Sequence, residues 1–266
     1  MFSKKLLISA SFCFALLPLA SSATVFTLYD ETLNNLPENQ AWLSYGSNDS
    51  AIKNVISGTG VNLQTNNTTS AGFSNYSILP PSLKNSAFPI LDSSTGFTLS
   101  FSMQLNSESH GGSSSNRAGF SVILLDENNQ GVELGFWENS IWSQSDTPLF
   151  QAKDEEVSFN TRAGLLTYDL TVFNGDYFLT QNDSVLLTGE LKDYSAFTGG
   201  PFGSSIPYSL SNYLFLGDDT SSAEAIVTLG RISISDTPLY TVPAPLPMTL
   251  IGLGLLLYCP VRRKIV

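Results

Sequence analysis

Between residues 24 and 236 the chain is a succession of short runs rich in β-branched and aromatic residues, separated by clusters of glycine, asparagine, aspartate, serine and proline. Hardly any stretch spaces its apolar residues every three or four positions, as an amphipathic helix would. In Gly96–Met103, apolar residues alternate with small polar ones, which is typical of a strand with one buried face. The sequence therefore predicts an all-β domain.

The most specific local signal is a hairpin centred on Asn174-Gly175. Both residues tolerate positive φ, which the tight two-residue turn between antiparallel strands requires. A two-residue loop also sets the register of the flanking runs. The pairs expected to face each other are Val172 with Tyr177 and Leu170 with Leu179.

Further hairpins are predicted around 126–131 and 217–222. A long succession of short strands favours an antiparallel two-sheet sandwich. The Gly/Ser-rich stretches 107–116 and 198–205 are interpreted as loops, since the strand pattern resumes on both sides of each. Residues 24–241 are therefore predicted to form one extracytoplasmic domain.

The N-terminus predicts a secretory signal peptide over residues 1–23. Lys4 and Lys5 precede an apolar run, and a stretch of small residues ends at Ala23. Cleavage after Ala23 by signal peptidase would make Thr24 the first residue of the exported chain. The alternative is an uncleaved N-terminal membrane anchor.

Residues 242–266 have three parts in order: a proline-rich bend, an uncharged, mostly apolar stretch and a basic cluster. The basic cluster would stay cytoplasmic, so a single transmembrane helix here would anchor the domain on the outer side of the membrane. This order resembles PEP-CTERM sorting signals. The residues that carry the resemblance are Val242, Pro243, Ala244, Pro245, Arg262, Arg263 and Lys264.

In that family an exosortase recognises and processes the tail, in Gram-negative bacteria that make exopolysaccharide. The resemblance implies an exosortase-type partner and a protein held on the membrane or released to the cell surface or extracellular matrix. Ala244 departs from the family's usual glutamate, which leaves processing less supported than membrane targeting. The alternative is an ordinary C-terminal membrane helix.

The net charge of the domain limits the classes of partner that it can bind. The whole chain has a formal charge of −11, but residues 24–241 contain seven basic and 23 acidic residues, a charge of −16. Such a surface repels phosphate, which disfavours nucleic acid and anionic membranes as ligands and leaves neutral glycans or bound cations. Both cysteines, Cys13 and Cys259, lie in the terminal segments, so the domain can form no disulfide within itself.

The order of segments over 90–236 resembles the concanavalin A-like lectin/glucanase superfamily, including its laminin-G-like members. The resemblance is carried by the hairpin that begins Leu166-Thr167-Tyr168 and by the closing segment 214–223 with its Val/Ile strand. It implies a jelly-roll sandwich with a concave face used for glycans, sometimes with calcium, and a first strand that pairs beside the last.

No catalytic motif is present. Retaining glucanases of this fold place carboxylates on one strand as Glu-x-Asp-x-x-Glu, whereas Asp154 and Glu156 only share the two-residue offset, in a segment interpreted as a solvated turn. His110, the single histidine, is expected on a flexible loop and is a poor base for a triad. The chain is therefore predicted not to be an enzyme. The glutamates that lack partners in this motif are Glu127, Glu133, Glu138 and Glu190.

Two ligand sites are predicted instead. Asp218 and Asp219, in one Gly-flanked loop, are candidates for calcium. Two indoles and two polar side chains within six residues are candidates for glycan binding, through stacking on sugar faces and hydrogen bonds to hydroxyls. They are Trp137, Glu138, Asn139 and Trp142.

These patterns predict an exported, non-enzymatic envelope or matrix protein that associates with surface polysaccharide through a lectin-like sandwich. Two alternatives stay open. One is a glycoside hydrolase of the same fold with an unrecognised carboxylate pair. The other is a structural surface protein without a specific ligand.

Overall fold

The computed structural model describes residues 23–47, 51–78, 81–111, 116–147, 149–195, 197 and 208–240. Residues 1–22 and the whole tail 242–266 lie outside the described residues. Among the described residues, no helix is long and apolar enough to cross a membrane.

The described part of the chain is built almost entirely of strands, with two short 3₁₀ turns at Glu31–Leu33 and Pro37–Asn39. In chain order the strands are β1 (Val25–Tyr29), β2 (Ser44–Ser47), β3 (Ile52–Ile56), β4 (Gly60–Gln64), β5 (Ala71–Ser74), β6 (Tyr76–Ile78), β7 (Pro81–Leu83), β8 (Phe97–His110), β9 (Ser121–Leu125), β10 (Gln130–Phe136), β11 (Ser140–Asp146), β12 (Leu149–Ser158), β13 (Leu166–Phe173), β14 (Asp176–Gln181), β15 (Ser184–Glu190), β16 (Lys192–Asp193), β17 (Tyr213–Asp218) and β18 (Ala223–Ser235).

Two eight-stranded sheets form the architecture. The first has the order β15-β14-β13-β8-β18-β4-β3, with β1 paired to β18, and the second has the order β12-β11-β10-β9-β17-β5-β2, with β16 paired to β10. The strand pairs described within both sheets are antiparallel. The predicted all-β, two-sheet antiparallel sandwich is therefore confirmed, and β1 does pair with the last strand.

The core lies between the sheets and contains alternate residues of the strands on both sides. At its centre Phe136 contacts three other aromatic rings, with centroids 5.8–6.0 Å away and edge-to-face angles of 62–88°. The rings around it are Phe101, Phe120 and Tyr168. Such edge-to-face packing is the arrangement that aromatic pairs favour.

The predicted hairpin is confirmed in turn and register. Asn174 and Gly175 have φ values of 55° and 89°. The facing pairs are the expected ones, Val172 with Tyr177 and Leu170 with Leu179.

Two interpretations of turn or loop are wrong in part. The stretch 107–116 is interpreted from sequence as a loop, but residues 107–110 belong to strand β8, because β18 is nearly as long and Ala223 pairs with His110. Residues 112–115 and the other proposed loop, 198–205, lie outside the described residues. Strand β12 includes residues 153–156, where Glu155 accepts hydrogen bonds from the Ser143 and Tyr177 hydroxyls. Asp154 and Glu156 are exposed, as the charged pattern predicted, whereas buried donors from other strands hold Glu155.

The second sheet has an outer face, opposite the core, that is also largely buried. On β9, Val122 and Leu124 point into the core, whereas Ile123 and Leu125 belong to a separate outer cluster. That cluster is completed by aromatic residues from β17 and the segments beside it. Its members are Ile123, Leu125, Tyr194, Tyr208, Tyr213 and Phe215.

Candidate functional site

A buried carboxyl group lies on this outer face. Because Val132 and Leu134 point into the core, the alternation of β10 turns Glu133 to the opposite side. Only 1% of its side chain is exposed. Burial, together with the negative charge of Asp219, raises the pKa of Glu133 to about 7.

A second carboxylate comes from Asp219, which follows β17 directly. The Tyr208 hydroxyl lies between the two, 2.5 Å from Glu133 Oε2 and 3.0 Å from Asp219 Oδ2. Those two carboxyl oxygens are therefore at most 5.5 Å apart, the sum of the two distances.

The Tyr208 hydroxyl is the donor toward both carboxyl groups. Burial raises the pKa of Tyr208 well above its ordinary value, so the hydroxyl keeps its single proton and can donate it to one oxygen at a time. The raised pKa of Glu133, about 7, lets this group hold a proton at a pH at which an ordinary glutamate is ionised.

Arg117 supplies the balancing positive charge. Its Nη2 lies 2.5 Å from Asp219 Oδ2, and its Nη1 lies 3.6 Å from Glu133 Oε1. The Arg117 side chain is only 13% exposed, so this ion pair is shielded from bulk water. Its backbone carbonyl accepts a hydrogen bond from Trp137 Nε1 at 3.1 Å, which links the segment before β9 to the residue that follows β10.

Asp219 also lines a cleft of about 290 Å³ whose other lining residues carry hydroxyl groups. The Asp219 side chain is 4% exposed, and within the described part of the chain its Oδ1 has no hydrogen-bond partner. One carboxylate oxygen thus contacts Arg117 and Tyr208, while the other lacks a donor. The lining residues are Thr68, Thr69, Ser70, Asp219, Thr220 and Ser221.

The two aspartates predicted as calcium ligands are in different environments. Asp218 is fully buried, accepts a hydrogen bond from the Thr220 backbone at 2.8 Å, and has its pKa raised by burial to about 8. Asp219 instead pairs with Arg117. Among the described residues, no group of three or more histidine, cysteine, aspartate or glutamate side chains is arranged to hold a metal. Calcium at this pair stays a prediction.

Three of the four predicted glycan-binding residues line a second cleft, of about 400 Å³. Its polar side chains pair with one another: Glu108 contacts His110 Nδ1 at 2.7 Å, and Glu138 contacts Arg162 at 3.0 Å. Burial raises the pKa of Glu108. The lining residues are Glu108, His110, Trp137, Glu138, Asn139, Asn160 and Arg162.

Neither indole presents a free face in this structure. His110 stacks on Trp137 with centroids 3.8 Å apart and planes 1° apart, and Lys153 Nζ lies 3.3 Å from the Trp137 ring centroid. Both groups are too close to share a side, so they cover opposite faces. Trp142 is fully buried and meets Trp137 edge to face at 5.6 Å. Glycan binding at these residues stays a prediction.

A motif of carboxylates on one strand cannot include Glu133 and Asp219, because Glu133 lies in β10, Asp219 follows β17, and the two are 86 positions apart. A signal was nevertheless present. Glu133 is a lone charge in the apolar run 132–136, where burial on both faces leaves a carboxylate in need of partners.

No protein-family model matches the chain, and no curated protein matches it either. Among solved structures, it is similar to a carbohydrate esterase from the Shiga toxin-encoding bacteriophage phi24B, with 11% identity, a TM-score of 0.50, and coverage of 80% of this chain and 100% of the other. A Crh5 transglycosylase in complex with NAG is 11% identical over 81% of this chain and 84% of the other, at a TM-score of 0.44. An alginate lyase A1-II′ of polysaccharide lyase family 7 is 14% identical, with coverage of 68% of this chain and 81% of the other, at a TM-score of 0.40.

These findings correct the prediction that the chain is not an enzyme. The esterase shares the fold along its whole length, and a carboxylate pair is present on the outer face, so the exclusion of catalysis from sequence is wrong. At 11% identity the similarity to the esterase establishes the fold alone, a two-sheet β-sandwich.

Proposed function

We propose that the chain is an exported carbohydrate-active enzyme that cleaves glycosidic bonds through Glu133 and Asp219. The pair itself carries the proposal: two buried carboxyl groups, with the pKa of Glu133 raised to about 7, whose bridged oxygens are at most 5.5 Å apart. Retaining glycosidases hold their two carboxyl groups about 5–5.5 Å apart.

In the first step Glu133 gives its proton to the glycosidic oxygen, while Asp219 forms a bond to the anomeric carbon and the leaving sugar departs with that proton. In the second step Glu133, now ionised, takes a proton from water, and the water oxygen displaces Asp219 from the sugar. A pKa near 7 suits a group that acts as acid and then as base. The glycosidic oxygen would take the position of the Tyr208 hydroxyl, so substrate binding displaces Tyr208.

Carbohydrate is the substrate class that the fold supports, because a carbohydrate esterase shares it. Membership of the concanavalin A-like superfamily is part of the proposal and is consistent with the two-sheet sandwich. We further propose that the cleft at Trp137, Glu138 and Asn139 holds another part of the glycan. Its volume of about 400 Å³ lies within the usual range of ligand pockets, about 300–1,000 Å³.

The cellular setting of the proposal rests on the two ends of the sequence. Signal peptidase would cleave after Ala23, and an exosortase-type enzyme would sort the tail at 242–266. The domain would then act outside the cytoplasmic membrane, anchored there or released to the cell surface or matrix, where exopolysaccharide is the available substrate.

Turnover tests the catalytic assignment. Purified protein is incubated with laminarin, curdlan, xylan, mannan, dextran, alginate and polygalacturonate, and reducing ends are measured. On the polymer that is cleaved, Glu133→Gln and Asp219→Asn are expected to lower kcat about 10²- to 10⁴-fold. Glu127→Gln, which removes an exposed carboxyl group outside the site, should match the wild type.

Product stereochemistry provides a second readout, since NMR of the fresh product should show a retained anomeric configuration. No cleavage of any polymer, or full activity in Glu133→Gln, overturns the assignment. Inversion at the anomeric carbon would overturn the role of Asp219 as nucleophile.

A further inference from the structure

We infer that the hydroxyl-lined cleft beside Asp219 is a binding subsite for one uncharged sugar residue, with Asp219 Oδ1 as the acceptor for a ring hydroxyl. The inference rests on the proposed function, because Asp219 belongs to both. It adds the place where the sugar binds and the charge class of the polysaccharide.

The first support is the unpartnered oxygen. The Asp219 side chain is 96% buried, and its Oδ1 accepts no hydrogen bond from the residues that the structure describes. A buried carboxylate oxygen without a donor is costly, so a ligand that brings an O–H group to it is favoured. Asp219 lies in the wall of the cleft, but its Oδ1 is itself buried from solvent, so a ring hydroxyl reaches this acceptor only when ligand binding moves the groups that cover it.

The second support is the lining. Besides Asp219, every residue of the cleft wall carries a hydroxyl group, and a hydroxyl both donates and accepts. Such a wall complements a polyol, whose own hydroxyls also do both. The cleft volume of about 290 Å³ is at the lower end for ligand pockets, which suits a single small ring.

The third support is charge. Arg117 already lies 2.5 Å from Asp219, so the ligand has no charge to neutralise. The surrounding domain carries a formal charge of −16 between residues 24 and 241, and that field opposes uronates and sulfated sugars. The cleft therefore favours neutral polysaccharide over alginate or polygalacturonate.

Both walls of the cleft are held in place before any ligand binds. Asn66 Oδ1 accepts from the backbone amides of Thr68 and Thr69 at 2.9 and 3.1 Å. On the opposite wall, Thr220 Oγ1 accepts from the Ser222 and Ala223 amides at 3.2 Å. Ser70 and Ser221 are exposed, which makes them suitable for substitution without loss of the fold.

Binding measured in the full-length Glu133→Gln protein separates this inference from catalysis. Titration calorimetry uses laminarin, xylan, mannan and dextran as neutral ligands, and alginate, polygalacturonate and heparin as anionic ones. A neutral polymer should bind at least tenfold more tightly than any anionic one. Adding Ser70→Ala with Ser221→Ala should weaken that binding about tenfold, the effect of two lost hydrogen bonds, whereas Ser184→Ala on a remote hairpin should not change it.

Each possible result of these titrations tests one part of the inference. Tighter binding of an anionic polymer overturns the charge class, and unchanged affinity in the double serine variant overturns the location. Absence of binding to every neutral polymer overturns the inference altogether. If neutral glycan binds through the cleft but the wild-type protein has no turnover, the subsite stands and the proposed hydrolysis falls.

Discussion

Replacing Glu133 with glutamine should change how the stability of the protein depends on pH. The folded state holds the pKa of Glu133 at about 7, compared with an ordinary value of 4.5. Between these pH values the folded protein binds more protons at this group than the unfolded chain does, so stability falls as the pH rises. The difference corresponds to about 3 kcal/mol at about 1.4 kcal/mol per pKa unit.

That stabilisation is complete below pH 4.5 and is lost as the pH rises through 7. Glutamine has nearly the same shape and cannot ionise, so the variant should lack this pH dependence. Relative to the wild type, Glu133→Gln should therefore gain about 3 kcal/mol in unfolding free energy between pH 4 and pH 8.5.

The assay is urea unfolding of both proteins at half-unit steps over this pH range, followed by tryptophan fluorescence. Taking the difference between the two curves cancels the titrations that the proteins share. Glu127→Gln, which removes an exposed carboxyl group, is the matched control and should run parallel to the wild type. Parallel curves for Glu133→Gln would refute the assignment of Glu133 as a neutral buried acid.

Two further substitutions test the packing. Phe136→Ala removes a fully buried ring that contacts three other aromatic rings, so we expect the unfolding free energy to fall by about 3–5 kcal/mol; a fall below 1 kcal/mol would contradict the described core. Lys153→Met removes the cation 3.3 Å from the Trp137 ring centroid and should cost about 0.5–2 kcal/mol, measured by denaturant unfolding. Equal stability of Lys153→Met and the wild type would argue against that contact.

The sequence pattern was sufficient to predict the structure of those segments whose conformation depends on residues adjacent in the chain. The Asn174-Gly175 turn needs only two residues that adopt positive φ, and its register follows from the length of the loop. Alternation likewise predicted the strands, because successive side chains of a strand point to opposite faces. The prediction of a turn at 153–156 was wrong: the segment is part of β12, with Asp154 and Glu156 exposed and Glu155 bound by hydroxyl groups of other strands.

The candidate site depends on contacts that the order of residues does not display. Glu133 and Asp219 meet because β10 and β17 flank β9 in the second sheet, and Tyr208 enters from a segment between β16 and β17. Strand order within a sheet depends on the whole set of pairings, so spacing along the chain cannot predict which side chains become neighbours. The same holds for Trp137, whose ring faces are covered by His110 and Lys153.

The sequence by itself determined the all-β sandwich, the hairpin register, the acidic charge of the domain and the absence of cysteine from it. Those properties depend on composition and on contacts within a few residues. Tertiary structure alone decided that Glu133 is buried beside a second carboxylate, which is what raises its pKa to about 7. The physical reason is that desolvation and charge–charge interactions depend on burial and on distances in the folded structure, and the strand order sets both.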